Sequence, residues 1–425
     1  MTKYETYKDS GVEWIGAIPE HWEVKKIKHF CYVKGRVGWK GLKSSDFLQE
    51  GYAYLVTGRD FKTNRIDWKK SYHIDKERYE EDPYIQLENN DLLITKDGTI
   101  GKLAIVENLD KPACLNSGIF VVRSLDEHLL TQYLYWVLFS DVFKKFNGYT
   151  TYGSTIQHLY QNVFVDFAYP LPSNISQEKI ANYLDKKTAE IDDLIGQKKQ
   201  LLKLYEKEKE VIINQAVTKG INPDVKLKDS GIEWLGAIPA HWEVKKLKYV
   251  LASRNHKRIP LSSSERGEMM SKKYDYYGAS GVIDKVEDYI FDEPLLLIGE
   301  DGANLLTRSK RLVFIAKGRY WVNNHAHILK PKYGLIDYYS ELLELYDFSI
   351  WVTGSAQPKL TSENLLNIPM VVPPIEEQNQ ISEFLMKKIW EITQKSENIK
   401  KLIALLKEYK TALISDVVTG KIKVT

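Results

Sequence analysis

Cysteine is nearly missing from this 425-residue chain, which holds only Cys31 and Cys114. Two such distant thiols supply neither a disulfide framework nor a CxxC zinc pair. No run of about 20 apolar residues occurs, so no membrane span is expected. The opening MTKYETYKDSG is charged and lacks the apolar core of a secretory leader. These absences predict a soluble, cytoplasmic protein. An excess of one charge is missing too: 60 Lys and Arg stand against 57 Asp and Glu, a net +3. Strong nonspecific binding to nucleic acid needs many phosphate-neutralising bases. Any such surface here must be local, or be completed by a partner.

Catalytic signatures are also missing. DGTIGK is too short for a GxxxxGK[ST] phosphate loop, and GYTTYGS lacks the lysine. No HExxH, GxSxG or paired Cys/His set appears, so neither a metal site nor a catalytic residue is assigned. A base methyltransferase would carry an Asn/Asp-Pro-Pro-aromatic tetrapeptide; Glu81-Asp82-Pro83-Tyr84 lacks the second proline. Pro223-Asp224 with Glu243-Val244-Lys245 imitates the carboxylates of a Mg-dependent nuclease. The matching Glu23-Val24-Lys25 has no upstream Pro-Asp, which weighs against that reading. His325 and His327 fall at strand spacing without a third ligand and read as structural, and His158 belongs to a different motif.

What is present is a repeat. Residues 8–28, KDSGVEWIGAIPEHWEVKKIK, return at 228–248 as KDSGIEWLGAIPAHWEVKKLK, with 17 of 21 positions identical. The period is far beyond the 20–50 residues of solenoid repeats, so the repeating unit is a whole domain with its connection. Hydrophobic residues at 43% and 27 Tyr leave ample material for packed cores. Strands are expected at 52–57, 92–95, 102–106 and 118–123, a turn at 97–101, a helix over 129–146, and a last strand at 163–172.

From 176 to 219 the chain has no proline and counts by sevens through Leu184, Ile191, Lys198, Tyr205 and Ile212, flanked by Ile180, Leu194, Leu201 and Leu202. Such a stripe among balanced charges predicts a long helix; an exposed linker is the alternative, but it would leave apolar surface in water, so a partner is favoured. Leu385, Ile392, Ile399, Leu406 and Leu413 repeat it 201 residues later. The repeated blocks lie 220 apart, the Asp97-Gly98 and Asp301-Gly302 turns 204 apart, and the helices 201 apart. The helices therefore keep their frame while the module interiors diverge. The expected division is a module at 1–175, a helix at 176–219, a second module at 220–375 and a second helix at 376–425.

Basic residues cluster in both modules. Residues 253–273 carry six Lys or Arg against two Glu, and 307–319 carry five with no acid. Module one has Arg59, Lys62, Arg65, Lys69 and Lys70 near Phe61 and Trp68. Any one of these reads as a solvated charged face. Jointly, bases with Asn, Gln, Ser and Tyr nearby suit phosphate positioning and base-edge hydrogen bonding.

The order of motifs resembles the specificity subunit of type I restriction-modification systems. The resemblance rests on DSGVEWIGAIPEHWEV, LLITKDGTIGKLAIV, YYGASGVIDK with LLLIGEDGAN, the GSTIQHL and GSAQPKL loops, and VVPPIEEQNQISEFL opening a long helix. The first copy of that last motif, PLPSNISQEKIANYL, lacks the Pro-Pro and Glu-Glu. The resemblance implies two mixed α/β (α+β) target recognition domains separated by two long helices packed as an antiparallel coiled coil. Each domain would read half of a bipartite, asymmetric site on double-stranded DNA. The helices would set the spacer and dock two modification (methyltransferase) subunits, with restriction subunits added. S-adenosylmethionine, ATP and Mg are expected on those partners and no cofactor on this chain. An autonomous Mg-dependent nuclease and a protein-only scaffold are the alternatives. Candidate DNA contacts are Arg59, Lys96, Thr99, Tyr152, Ser154, Thr155 and Gln157, then Lys272, Lys273, Tyr277, Asn304, Arg308, Ser355, Gln357 and Lys359.

Overall fold

The repeated block folds the same way twice because its glycines and apolar residues recur in place. A computed structural model describes residues 2–36, 42–150, 158–354 and 357–424. Strand Tyr7–Asp9 turns back onto Ala17–Pro19, and Leu227–Asp229 turns back onto Ala237–Pro239. Gly16 (φ 73°) and Gly236 (φ 67°) take the left-handed conformation where each turn re-enters its strand. Trp22 and Trp242 then bury completely.

Next comes a short lead-in strand in each copy. Glu23–Lys26 pairs with Ala168–Leu171, and Glu243–Lys246 pairs with Pro369–Val372. The second member of each pair is the strand leading out to a long helix, so each module is closed at its neck. Within these strands Glu23 bonds Lys25 at 2.7 Å and Glu243 contacts Lys245. The nuclease-like Glu-x-Lys is therefore spent on local ion pairs, and Asp224 lies outside any strand.

Four strands recur in one order in both modules. Module one has Cys31–Lys34, Ile119–Ser124, Leu92–Thr95 and Leu103–Ile105, then two short strands, Arg65–Ile66 and Phe61–Lys62. Module two has Leu251–Ser253, Ala326–Pro331, Leu295–Gly299 and Val313–Ala316. The central strands Leu92–Thr95 and Leu295–Gly299 are buried along their whole length. Their unbroken apolar runs suit a strand covered on both faces. A three-stranded sheet completes each module: Ala113–Leu115, Ala53–Val56 and Tyr72–Ile74 in one, and Gly281–Val286, Tyr274–Gly278 and Tyr320–Val322 in the other.

Two expected elements differ. The helix expected over 129–146 is two, Thr131–Phe139 and Asp141–Thr150. Between them Ser140 Oγ donates to the Val137 carbonyl at 2.6 Å and accepts the Val142 N–H at 3.2 Å, replacing helical bonds with side-chain ones. The strand expected at 163–172 is confined to Ala168–Leu171, preceded by the helical turn Gln161–Phe164. Phe164 and Phe167, three apart, both meet the Phe143 ring, which is helical rather than strand spacing.

The long helices run Asn174–Lys219 and Ile375–Val418. The chain forms two compact units, residues 1–198 with 400–425, and residues 199–399. In the first unit, Tyr133 beside the start of the first helix donates to the Pro170 and Val418 carbonyls, at 2.6 and 3.3 Å. Further along, Asp192 pairs with Lys410 at 2.6 Å. The two segments are therefore antiparallel. In the second unit Tyr338 donates to the Val217 carbonyl at 3.0 Å, and Ala216 and Val217 share a core with Ile381 and Leu385, again end against start. Leu184, Ile191, Leu385, Ile392 and Leu413 are buried. Leu201, Tyr205, Ile212, Ile399 and Leu406 are half-buried. Leu194 is exposed, because the inner stripe passes through Thr188, Ile191 and Ile195. Thr188 donates to the Leu184 carbonyl at 2.7 Å, which satisfies its buried hydroxyl. No described helix is long and apolar enough to cross a membrane.

The two buried tryptophans differ in one bond. Trp242 Nε1 donates to Glu377 at 2.9 Å, while Trp22 Nε1 finds no acceptor among the described residues. Trp242→Phe is therefore expected to destabilise by about 1 kcal/mol more than Trp22→Phe. Urea unfolding followed by circular dichroism measures the difference; equal costs would contradict it.

Candidate nucleic-acid interface

In module one, several strand ends meet at one edge of the sheet. Thr95 ends its strand opposite Ile119, and Lys34 ends its own opposite Val121. The Asp97-Gly98 turn follows, with Gly98 at φ 68° and Gly101 at φ 82°. Thr95 closes it: its Oγ1 donates to the Thr99 carbonyl at 2.5 Å and accepts the Lys102 N–H at 2.9 Å. Lys96 is held on both backbone sides, its N–H on the Gly118 carbonyl and its carbonyl under the Leu159 N–H, both at 2.9 Å. Its Nζ sits 5.1 Å from the Phe120 ring centre. Asp97 contacts His158, whose ring lies 4.5 Å from that of the exposed Tyr160. Arg59, over the Tyr72 ring at 5.0 Å, follows Gly58, where an added Cβ would come within 3.0 Å of Thr95. The backbones at Arg59, Lys96 and Thr99 thus meet at this strand end, with the Arg59 and Lys96 side chains on different rings.

Module two repeats that backbone with the charge reversed. Glu300 stands where Lys96 stands: its N–H bonds the His325 carbonyl at 2.9 Å and its carbonyl accepts the Leu360 N–H at 2.8 Å. Glu300 is nearly buried, contacts Arg258, and lies 3.3 Å from Lys359. Burial alone would raise its pKa, but Arg258 and Lys359 outweigh this and the net shift is downward. Arg258 also donates to the Asn324 and Ala326 carbonyls, at 3.2 and 3.0 Å. Its side chain is mostly enclosed, whereas that of Lys359 is 52% exposed. Lys359 and the exposed Gln357 occupy the edge.

The two module-two histidines part company. His325 pairs with Asp301 at 2.7 Å at the turn. His327 is fully buried, with Nε2 on the Leu360 carbonyl at 2.7 Å and Nδ1 beside the Asn255 amide at 2.9 Å. A carbonyl can only accept, so the proton sits on Nε2 and Nδ1 accepts from Asn255. That neutral form agrees with a pKa lowered by burial. Burial likewise raises the Cys31 thiol to about 12 and the Cys114 thiol to about 11, leaving neither poised as a nucleophile.

Five module-two candidates lie elsewhere. Asn304 spends its side chain on its own loop, donating to the Lys310 carbonyl at 3.1 Å and accepting the Lys310 N–H at 2.9 Å. Arg308, left-handed at φ 50°, turns to Glu344 at 3.2 Å. Tyr277 stacks on Phe314, 5.8 Å between ring centres, against an internal cluster. Lys272 pairs with Asp284 at 3.3 Å. Lys272 and Lys273 precede strand Tyr274–Gly278, whose far end meets Asn323. The length of that strand separates them from Lys359. In module one Arg65 pairs with Glu107 at 2.9 Å and aligns with Ile105, at the opposite end of the sheet from Thr95. Tyr152, Ser154, Thr155, Gln157 and Ser355 lie outside the described residues. Glu300, Arg258 and Asn255 were not singled out by sequence reasoning. Glu300 directly precedes the Asp301-Gly302 turn, which was the available signal.

Chemically, each edge offers one or two cations and a carboxylate-supported histidine, with the Thr99 hydroxyl in module one and the Gln357 amide in module two. Such a set can hold phosphate and hydrogen-bond base edges. No group of three or more His, Cys, Asp or Glu suited to a metal ion occurs among the described residues.

Comparison with known proteins agrees with this architecture. Residues 19–204 and 239–405 each match the type I restriction modification DNA specificity domain. The type I restriction enzyme MjaIX specificity subunit of Methanocaldococcus jannaschii is 24% identical over 446 residues, covering 96% of this chain and 95% of the relative. A Haemophilus influenzae protein, assigned provisionally to the same subunits, is 32% identical over 160 residues, covering 37% of this chain but 38% of the relative. Among solved structures, the HsdS subunit from Thermoanaerobacter tengcongensis superimposes with a TM-score of 0.59 at 16% identity, covering 95% of this chain and 98% of that one. A chain from a study of type I R-M complex assembly and conformational transition gives 0.71 at 15% identity, covering 95% and 99%. At those identities the structures speak for the fold alone. With both modules matched, the chain belongs to the type I restriction modification DNA specificity family.

Proposed function

We propose that this chain is the DNA-reading, non-catalytic subunit of a type I restriction-modification enzyme. Each module reads one half of a bipartite site on double-stranded DNA. The observation that carries this reading is the pair of edges built on one backbone pattern with opposite side chains, Lys96 in one and Glu300 in the other. Two readers with different chemistry call for two different half-sites and hence an asymmetric target.

The long helices act as the ruler. A stiff connection between two reading heads sets the number of unread base pairs between half-sites. Their outer faces carry Leu204, Val211, Met386, Trp390 and Leu405, each 59% to 69% exposed. Apolar area of that kind in water favours docking by other subunits. Two modification subunits would bind there, bring S-adenosylmethionine and methylate adenine N6. Restriction subunits would add ATP-dependent translocation and cleavage. The near-neutral net charge of +3 fits a reader whose partners complete the grip on DNA.

Three outcomes test this. Inserting four residues, one helical turn, between Gln197 and Lys203 is expected to lengthen the spacer or abolish recognition; an unchanged spacer in the methylated motif would sink the ruler. Replacing residues 250–370 with the corresponding domain of another family member should alter one half-site and leave the other intact. Lys359→Ala is expected to weaken binding about tenfold through module two. Competition with duplexes altered in either half-site reads that change, and an equal loss of discrimination at both halves would contradict the assignment.

A further inference from the structure

Two buried glutamines make matching sets of bonds at the start of the two long helices. Gln177 and Gln378, 201 residues apart, are both fully excluded from solvent. Gln177 Oε1 accepts the Leu130 N–H at 2.9 Å, and its Nε2 donates to the Pro172 carbonyl at 2.9 Å and the His128 carbonyl at 2.8 Å. Gln378 Oε1 accepts the Leu335 N–H at 3.1 Å, and its Nε2 donates to the Pro373 carbonyl at 2.9 Å and reaches the Tyr339 hydroxyl at 3.4 Å.

The partners are not arbitrary. Leu130 and Leu335 are the N-caps of the helices Thr131–Phe139 and Ile336–Glu344, and neither has a side chain able to cap. Their N–H groups belong to the unsatisfied donors of a helix start. Pro172 and Pro373 follow the lead-out strands Ala168–Leu171 and Pro369–Val372. One amide therefore joins the first turn of a long helix, the lead-out strand and the cap of the module's own helix. The backbone of module two is shaped around it: Gly334 is at φ 77°, and a Cβ there would collide with Gln378 Oε1. The module interiors differ in length and charge, yet this joint recurs.

We propose that Gln177 and Gln378 are positioning residues for site recognition. Each locks a reading module in a fixed orientation on the long helix that follows it, and so keeps the spacer between half-sites to a single length. The inference rests on the proposed bipartite reading. The test uses the full chain co-expressed with its modification subunits, as wild type, Gln177→Met and Gln378→Met, with adenine methylation mapped by long-read sequencing. Methionine keeps the length of the side chain and removes the hydrogen bonds. The bases of both half-sites are expected to stay the same. The ratio of methylation at the wild-type spacer to that at spacers one base pair longer or shorter should fall about tenfold, the equivalent of one lost buried hydrogen bond. A variant that assembles normally and keeps a single spacer overturns the proposal, as does a change in the bases read. If methionine prevents assembly, Gln177→Glu and Gln378→Glu, which keep the acceptor for the leucine N–H, are read the same way; uniform loss at all spacers then overturns it. A wild-type motif that is not bipartite would instead overturn the functional reading beneath it.

Discussion

Everything in this protein depends on how each module is closed at its neck. The lead-in strand pairs with the lead-out strand, Glu23–Lys26 with Ala168–Leu171 and Glu243–Lys246 with Pro369–Val372. That pairing returns the chain to its starting point after an interior of 141 residues in module one and 122 in module two, and delivers it to a long helix each time. Strand pairs are held by backbone hydrogen bonds, which do not depend on side-chain identity. The interior can therefore change in length and charge without altering where the helix begins. The tryptophan buried beneath each block, and the tyrosine hydroxyls of Tyr133 and Tyr338 on carbonyls of the long-helix ends, fasten the same joint from inside.

The two modules carry different chemistry at the edge above the neck. Lys96 and Glu300 occupy one backbone position, bonded by the same pattern of neighbours. In module one the lysine faces an aromatic ring; in module two the glutamate collects Arg258 and Lys359. A buried carboxylate without such partners would be costly. Reversing the charge at this position therefore required new cations elsewhere in the chain, and the basic stretch at 253–273 supplies one of them. The two modules differ as networks rather than at single residues.

Much of the architecture was legible in the sequence because its signals are long or repeated. Seventeen identities in 21 positions cannot be missed, and a heptad stripe over several turns identifies a helix whatever its surroundings. Finer placements were not legible where the deciding partner is remote. Leu194 and Ile195 are equally apolar, and packing chose the second. Arg308 is basic and close to the turn, but Glu344, 36 residues away, claims it. Glu300 escaped notice because an acid is not expected in a candidate DNA interface; its place follows from Arg258 and Lys359, two cations that only the fold assembles. The break at Ser140 came from one hydroxyl competing with the helix backbone.

The proposed function requires this chain, and not its partners, to determine which DNA sequence is acted on. Long-read mapping of adenine methylation in cells carrying the chain with its genomic neighbours, and in cells lacking only this chain, tests it most directly. A bipartite, asymmetric methylated motif that vanishes when the chain is deleted is expected. Methylation that persists unchanged without it would rule out a DNA-reading role for this chain.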